Sequence, residues 1–97
     1  MKSRTGGADR VSTKTRLAAE LATLGRVLTT VRERAGLKQA DIAAKLGMPA
    51  SYLSKIENGT RRLDVIELIQ IAEAMDVDAA AIVTELRDAL LHPELHP

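Results

Sequence analysis

Leucine and valine recur at steps of three or four along the first third of the chain, at Leu17, Leu21, Leu24, Leu28 and Val31, with polar residues filling most of the intervals. That is the period of a helix with one apolar face. It predicts a helix from about Thr13 or Thr15 that ends where Gly36 can turn left-handed. Gly25 interrupts the pattern and leaves two readings open, one long helix or two shorter ones, since an interior glycine costs only about 1 kcal/mol relative to alanine. Two shorter stretches follow, about Gln39 to Leu46 and about Pro49 or Ala50 to Asn58, separated by Gly47 and Met48 and closed by Asn58-Gly59. Neither is long enough to be stable alone, so packing must hold both. A fourth helix is predicted from Asp64, an N-cap with Glu67 at capping-box spacing, with Val65, Leu68, Ile69, Ala72 and Met75 as its buried stripe. A fifth runs from Asp78 through Ile82, Leu86 and Leu90 to about Leu91, where Pro93 bars continuation. No stretch shows the alternation of a strand. The expected fold is all-α, a compact bundle of five short helices over residues 15–91. A flexible basic arm (1–14) precedes it, and a flexible tail (92–97) follows.

The segment from Gln39 to Asn58 meets stricter demands. Two helices crossing near a right angle over a tight turn need particular residue sizes at particular places. Ala43 is small where the two helices approach, and Gly47 stands where the turn requires positive φ. Ile42, Leu46, Met48, Leu53 and Ile56 are the inward positions, and Pro49 suits the first turn of the second helix. So many constrained positions filled together, and followed by Glu57-Asn58-Gly59, make a specific signal for a helix-turn-helix.

Charge sharpens the picture. The formal net charge is only +1, yet residues 1–62 hold 13 Lys and Arg against 5 Asp and Glu, whereas residues 63–97 hold one Arg against 8 acids. Such segregation presents a basic surface to a polyanion and keeps an acidic one away from it. Tyr52 is the lone aromatic residue. Single-stranded nucleic acid is held by stacking bases on aromatic side chains, so duplex DNA is the better candidate.

At this point the chain resembles the helix-turn-helix family of phage lambda Cro and repressor type, also called the Xre family. The matching residues run from Leu37-Lys38-Gln39-Ala40-Asp41-Ile42-Ala43-Ala44-Lys45-Leu46-Gly47 through Ser51-Tyr52-Leu53-Ser54-Lys55-Ile56-Glu57-Asn58-Gly59 to Leu68, Ile71-Ala72 and Met75-Asp76-Val77. The likeness covers roughly residues 24 to 86. Pro49 stands where the family often has Ser, Asp76 where Gly is common, and Ala50 where several members carry a polar base-reader. The resemblance implies a lambda-repressor-like domain with a helical N-terminal extension, its second motif helix lying in the major groove. On that footing Ala50, Ser51, Tyr52 and Lys55 face base edges, with Lys55 suited to guanine O6 and N7 and Ala50 to a thymine methyl. Tyr52 either offers its hydroxyl to a base or phosphate or packs over the helix. Phosphate contacts fall to Lys38, Gln39, Ser54, Asn58, Thr60, Arg61 and Arg62. Glu57 receives an internal role, with Arg32 or Arg34 as its ion-pair partner.

One such motif touches few base pairs, so a homodimer on a palindromic operator is expected, with half-sites about 34 Å apart. The first choice of dimer face is the fifth helix through Ile82, Val83, Leu86, Leu90 and Leu91; the second is the extension before Leu24. The function expected is that of a sequence-specific duplex-DNA-binding regulator, a repressor. The alternative from another class is an antitoxin that binds a toxin protein and represses its own operon. An RNA-associated coactivator is disfavoured by the missing aromatics. Cysteine is absent, no apolar run approaches the roughly 18 residues that span a bilayer, and there is no export signal, so the expected address is cytoplasmic. His92 and His96 are separated by the helix-breaking Pro93, and no nucleophile, base and orienter come together. Neither metal, cofactor nor catalysis is expected.

Overall fold

The computed structural model of the protein describes residues 12–95. Its first helix is continuous: α1 spans Thr13–Arg34, so the two readings at Gly25 resolve to one long helix. Ser12 caps it, its hydroxyl accepting from the Thr15 N–H at 3.0 Å. Gly36, at φ 75°, takes the left-handed conformation beyond the C-terminus. The bundle holds the five helices expected, the first of them 22 residues long. Of the predicted arm, Thr13 and Lys14 belong to α1 and residues 1–11 lie outside the described residues.

The next two helices are α2 (Gln39–Leu46) and α3 (Ala50–Glu57), joined by Gly47 at φ 67°. Pro49 acts as the N-cap of α3, one residue before the first-turn position predicted for it. The fourth, α4 (Val65–Met75), begins at a reciprocal capping box. Asp64 Oδ1 accepts from the Glu67 N–H at 2.7 Å, and Glu67 Oε1 accepts from the Asp64 N–H at 3.0 Å. The fifth, α5 (Ala79–Leu91), is capped by Asp78. After His92 the chain makes a 3₁₀ turn, Pro93–Leu95, within the segment expected to be a tail.

The helices bury a single core of Val27, Leu28, Val31, Ile42, Tyr52, Leu53, Ile56, Leu68, Ile71, Ala72, Ala74, Met75, Ile82 and Ala89. Here α1 packs against α3 and α5, α2 against α3 and α4, and α4 against α5. Three apolar residues expected inside are outside. Met48 is 40% exposed, in the turn that its N–H closes by donating to the Ala43 carbonyl. Val65 and Ile69 are 69% and 42% exposed, and Ile71, fully buried, was missing from the predicted stripe. The inward stripe of α4 is Leu68, Ile71, Ala72 and Met75, spaced at i, i+3, i+4 and i+7; Val65 and Ile69 lie on its shoulder. Among the described residues no helix is long and apolar enough to cross a membrane.

Candidate nucleic-acid interface

Successive residues of a helix project about 100° apart, so eight residues divide α3 cleanly into two faces. Tyr52, Leu53 and Ile56 point inward and are buried. Ala50, Ser51 and Lys55 are exposed and Ser54 is half-buried, which places these four on one outward strip. Asn58, exposed at the C-cap, continues it. Three of the four residues predicted to face base edges share this strip. Tyr52 does not: it is 7% exposed and belongs to the core, which is the packed alternative. It falls on the inward side because around the helix it lies next to Ile56, about 40° away, with Leu53 beyond. Ser54, predicted to meet phosphate, occupies the middle of the strip instead. Its hydroxyl donates to the Ser51 carbonyl at 3.1 Å.

The loop after α3 is built by its own polar side chains. Asn58 Oδ1 accepts from the Thr60 N–H at 3.0 Å and from the Thr60 hydroxyl at 2.7 Å, while the Thr60 and Arg61 amides bond back to the Lys55 carbonyl. These bonds hold the chain in a tight reversal that Gly59 completes at φ 82°. Arg62 is exposed, and among the described residues neither its side chain nor that of Lys55 has a partner. Arg61 differs. Its guanidinium donates to both carboxylate oxygens of Glu67, at 2.8 and 3.3 Å, and to the Arg62 carbonyl at 2.8 Å. It also lies 4.7 Å from the centre of the Tyr52 ring. The Arg61 hydrogen bond, followed by that from the Asp64 amide, holds the Glu67 carboxyl below the ordinary glutamate value. Burial, then the charge of Glu67, pushes the Tyr52 phenol up.

Behind α3 lies a second polar cluster. Glu57 accepts from Arg32 Nε at 2.7 Å, from a second Arg32 nitrogen at 3.1 Å and from Gln39 Nε2 at 2.8 Å. The Thr29 hydroxyl lies 3.0 Å from the same carboxylate and 2.9 Å from the Gly25 carbonyl, and donates to one at a time. Arg32 also donates to the Leu37 carbonyl at 2.8 Å. The side chains of Arg32 and Glu57 are 11% and 6% exposed. The Glu57 hydrogen bond raises the Arg32 pKa despite burial, so the guanidinium stays charged. Glu57 thus has the internal role expected of it. Its partner is Arg32; Arg34 pairs with Glu85 at 2.9 Å instead. Gln39 stands at the start of α2 as predicted, but its side-chain amide is spent on Glu57. Lys45 donates to the Ala74 carbonyl at 3.0 Å.

Gly25 is the residue whose purpose was not visible in the sequence. A Cβ there would lie 2.0 Å from the Glu57 carbonyl oxygen, so the glycine lets α1 pass against the end of α3. Its only signal was its cost, a helix interior carrying the poorest ordinary helix former.

On the proposed dimer face, Ile82 is 1% exposed and Leu86 is partly buried against the core, which removes Ile82 from any free surface. Val83, Leu90 and Leu91 are exposed, as are Val65, Ile66 and Ile69 of α4. Among the described residues no group of three His, Cys, Asp or Glu is placed to hold a metal.

Known proteins share this architecture. A helix-turn-helix family model matches residues 28–82. An uncharacterized HTH-type transcriptional regulator of Sinorhizobium fredii, y4dJ, is 34% identical over 61 residues, covering 63% of this chain and 79% of that protein. The HTH-type transcriptional regulator RamB of Mycobacterium tuberculosis is 34% identical over 80 residues, but the match takes in 74% of this chain and only 17% of RamB. An XRE-family like protein from Pseudomonas syringae has a solved structure that superposes with a TM-score of 0.68 at 40% identity, covering 77% of this chain and 92% of the other. The chain belongs to the Xre, or Cro/C1-type, family of helix-turn-helix DNA-binding transcriptional regulators.

Proposed function

We propose that the protein is a repressor that binds a palindromic operator as a homodimer, with α3 of each protomer in a major groove. The observation that carries this reading is the outward strip of α3, where Ala50, Ser51, Ser54 and Lys55 stand free of the core and run directly into the Asn58–Arg62 loop. Lys55 is assigned to guanine O6 and N7, Ser51 to a base edge, and Ala50 to a thymine methyl. Asn58, Thr60 and Arg62 clamp the backbone beyond the helix, and Lys38 with the first amides of α2 clamps it on the other side. Ser54 serves either a base edge or the adjoining phosphate. The free apolar residues suit the dimer seam: Val65, Ile66 and Ile69 on α4, with Val83 and Leu90 on the neighbouring α5.

Selection from a random duplex library, with sedimentation of the protein alone and on the winning duplex, tests the proposal. Enrichment of an inverted repeat with half-site centres about 34 Å apart, bound by two protomers, is the expected result. Failure to enrich any sequence removes the operator-binding role.

A further inference from the structure

Residues 61 and 62 are both arginines in the loop that follows the reading helix, and by composition they are equivalent phosphate ligands. Their surroundings are not equivalent. Arg62 extends into solvent, whereas Arg61 is laid over the Tyr52 ring and donates to both oxygens of Glu67. We infer that Arg61 is a positioning residue: with Tyr52 and Glu67 it clamps the reading helix to the start of α4 and sets which bases α3 meets, while Arg62 alone of the pair binds phosphate. This inference rests on the operator-binding reading above and goes on to assign a residue that reads no DNA to its specificity.

The clamp joins elements that little else connects. Tyr52 lies on the inner side of α3, and Glu67 is the third residue of α4 and half of that helix's capping box. Arg61 bridges them with its planar guanidinium, one edge on the carboxylate and one face on the ring, a combination lysine does not reproduce. One nitrogen also donates to the Arg62 carbonyl, fixing the backbone from which the phosphate-binding side chain departs. A phosphate would have to draw this charge away from a carboxylate at 2.8 Å and from the aromatic face together. Arg62 has neither restraint.

Two effects of DNA binding separate the roles. Each phosphate neutralised by a side chain adds about 0.9 to the slope of log affinity against log salt concentration, on any sequence. Misplacing the reading helix lowers the preference for operator over scrambled duplex and leaves the slope alone. The test measures both quantities for the full chain and for Arg61→Ala, Arg62→Ala and Glu67→Gln, with helical circular dichroism to verify that each variant is folded. Arg62→Ala is expected to flatten the slope by about 0.9 per protomer on both duplexes with the preference intact. Arg61→Ala and Glu67→Gln are expected to keep the slope and lose roughly tenfold in preference, the worth of about one misread base pair. Arg61→Lys should not rescue. A flatter slope in Arg61→Ala overturns the inference, because Arg61 is then a phosphate ligand. A steeper slope in Glu67→Gln with the preference intact also overturns it, because Glu67 is then merely holding Arg61 back from DNA. Unchanged preference in folded Arg61→Ala reduces the clamp to ordinary stabilisation. If the wild-type chain itself shows no preference, the operator-binding reading has failed, and that outcome is visible before any variant is made.

Discussion

Replacing Gly25 with alanine sets two physical effects of opposite sign against each other. In a helix interior, alanine is favoured over glycine by about 0.8–1.0 kcal/mol, so on propensity alone Gly25→Ala stabilises the protein. The packing says otherwise. The added Cβ would sit 2.0 Å from the Glu57 carbonyl oxygen, 2.7 Å from its carbon and 3.1 Å from its Cα, all main-chain atoms. No rotamer change relieves such a clash. To restore ordinary contact, α1 and the end of α3 must separate by roughly 1 Å, and overpacking of this kind costs about 1–3 kcal/mol or more. The Glu57 side chain would be carried away from Arg32, which holds it from α1 at 2.7 Å. Because only main-chain atoms meet the new Cβ, the upper end of that range applies; it outweighs the propensity gain, and a net loss of about 2 kcal/mol is expected. Urea unfolding followed by circular dichroism measures it as a lower midpoint at unchanged m-value. DNA affinity should fall as well, because the displaced element is the reading helix. A variant as stable as wild type, or more stable, would falsify the close-approach account and return Gly25 to the status of a tolerated weak spot.

Four further outcomes are expected. Arg32→Ala leaves the Glu57 carboxylate buried without its cation, and should cost about 3–5 kcal/mol in the same unfolding assay; a loss under 1 kcal/mol would show that Gln39 and Thr29 suffice. Asp76 ends α4 in the left-handed conformation at φ 59°, where glycine carries no Cβ penalty. Asp76→Gly should therefore raise stability by about 0.5–1 kcal/mol, and a fall would mean that the aspartate makes a compensating interaction. The Glu67 carboxyl is held below the ordinary value of 4.5 by Arg61 first and the Asp64 amide second. A depressed carboxyl contributes stability that is present above its unfolded pKa and is lost as pH falls through its folded one, so urea midpoints should decline below about pH 4.5 and Glu67→Gln should remove part of that decline; an identical decline in the variant would rule the carboxyl out. Lys55→Ala should relax base preference at one position of each half-site by about 1–3 kcal/mol, measured by repeating the selection, and a uniform loss on all duplexes would make Lys55 a phosphate contact.

Helix boundaries were legible because they are written in local chemistry. Asp64 with Glu67, Asp78 with its free amides, and Gly36 and Gly47 at positive φ each act within a few residues of themselves. Faces were legible where the apolar period was unbroken, as in α3, and less so in α4, where Val65, Ile66, Leu68, Ile69 and Ile71 offer more apolar residues than one stripe can bury. Choosing among them requires knowing which neighbour α4 meets, and that is set by tertiary packing. The same holds for the candidate site. Ala50, Ser51 and Lys55 could be placed outward from residue type and position alone. Tyr52 neighbours Ile56 around the helix, so its packed reading was already open, whereas the capture of Arg61 by Glu67 depends on α4 arriving beside the loop after α3, and no local signal announces it. For Glu57 the sequence left Arg32 and Arg34 both open, since both lie in the last turn of α1 and only the crossing with α3 decides between them.

That dependence changes what the charge segregation means. Residues 1–62 hold 13 basic side chains against 5 acidic ones, and composition alone would count most of them toward a DNA-binding field. Among the described residues, four are tied to other elements of the fold: Arg32 to Glu57, Arg34 to Glu85, Arg61 to Glu67 and Lys45 to the end of α4. Two of these four ties reach carboxylates of the acidic C-terminal third, so part of the segregation exists to join the two halves of the bundle. The basic charges left beside the reading helix are few and specifically placed, with Lys55 on the strip and Arg62 in the loop that follows it. A short helix held by packing and by polar anchors at its C-terminal end and in the loop beyond needs few free charges, because its position is set before DNA arrives. The salt dependence of binding should accordingly reflect a small number of phosphates per protomer, well below the count of Lys and Arg in this half.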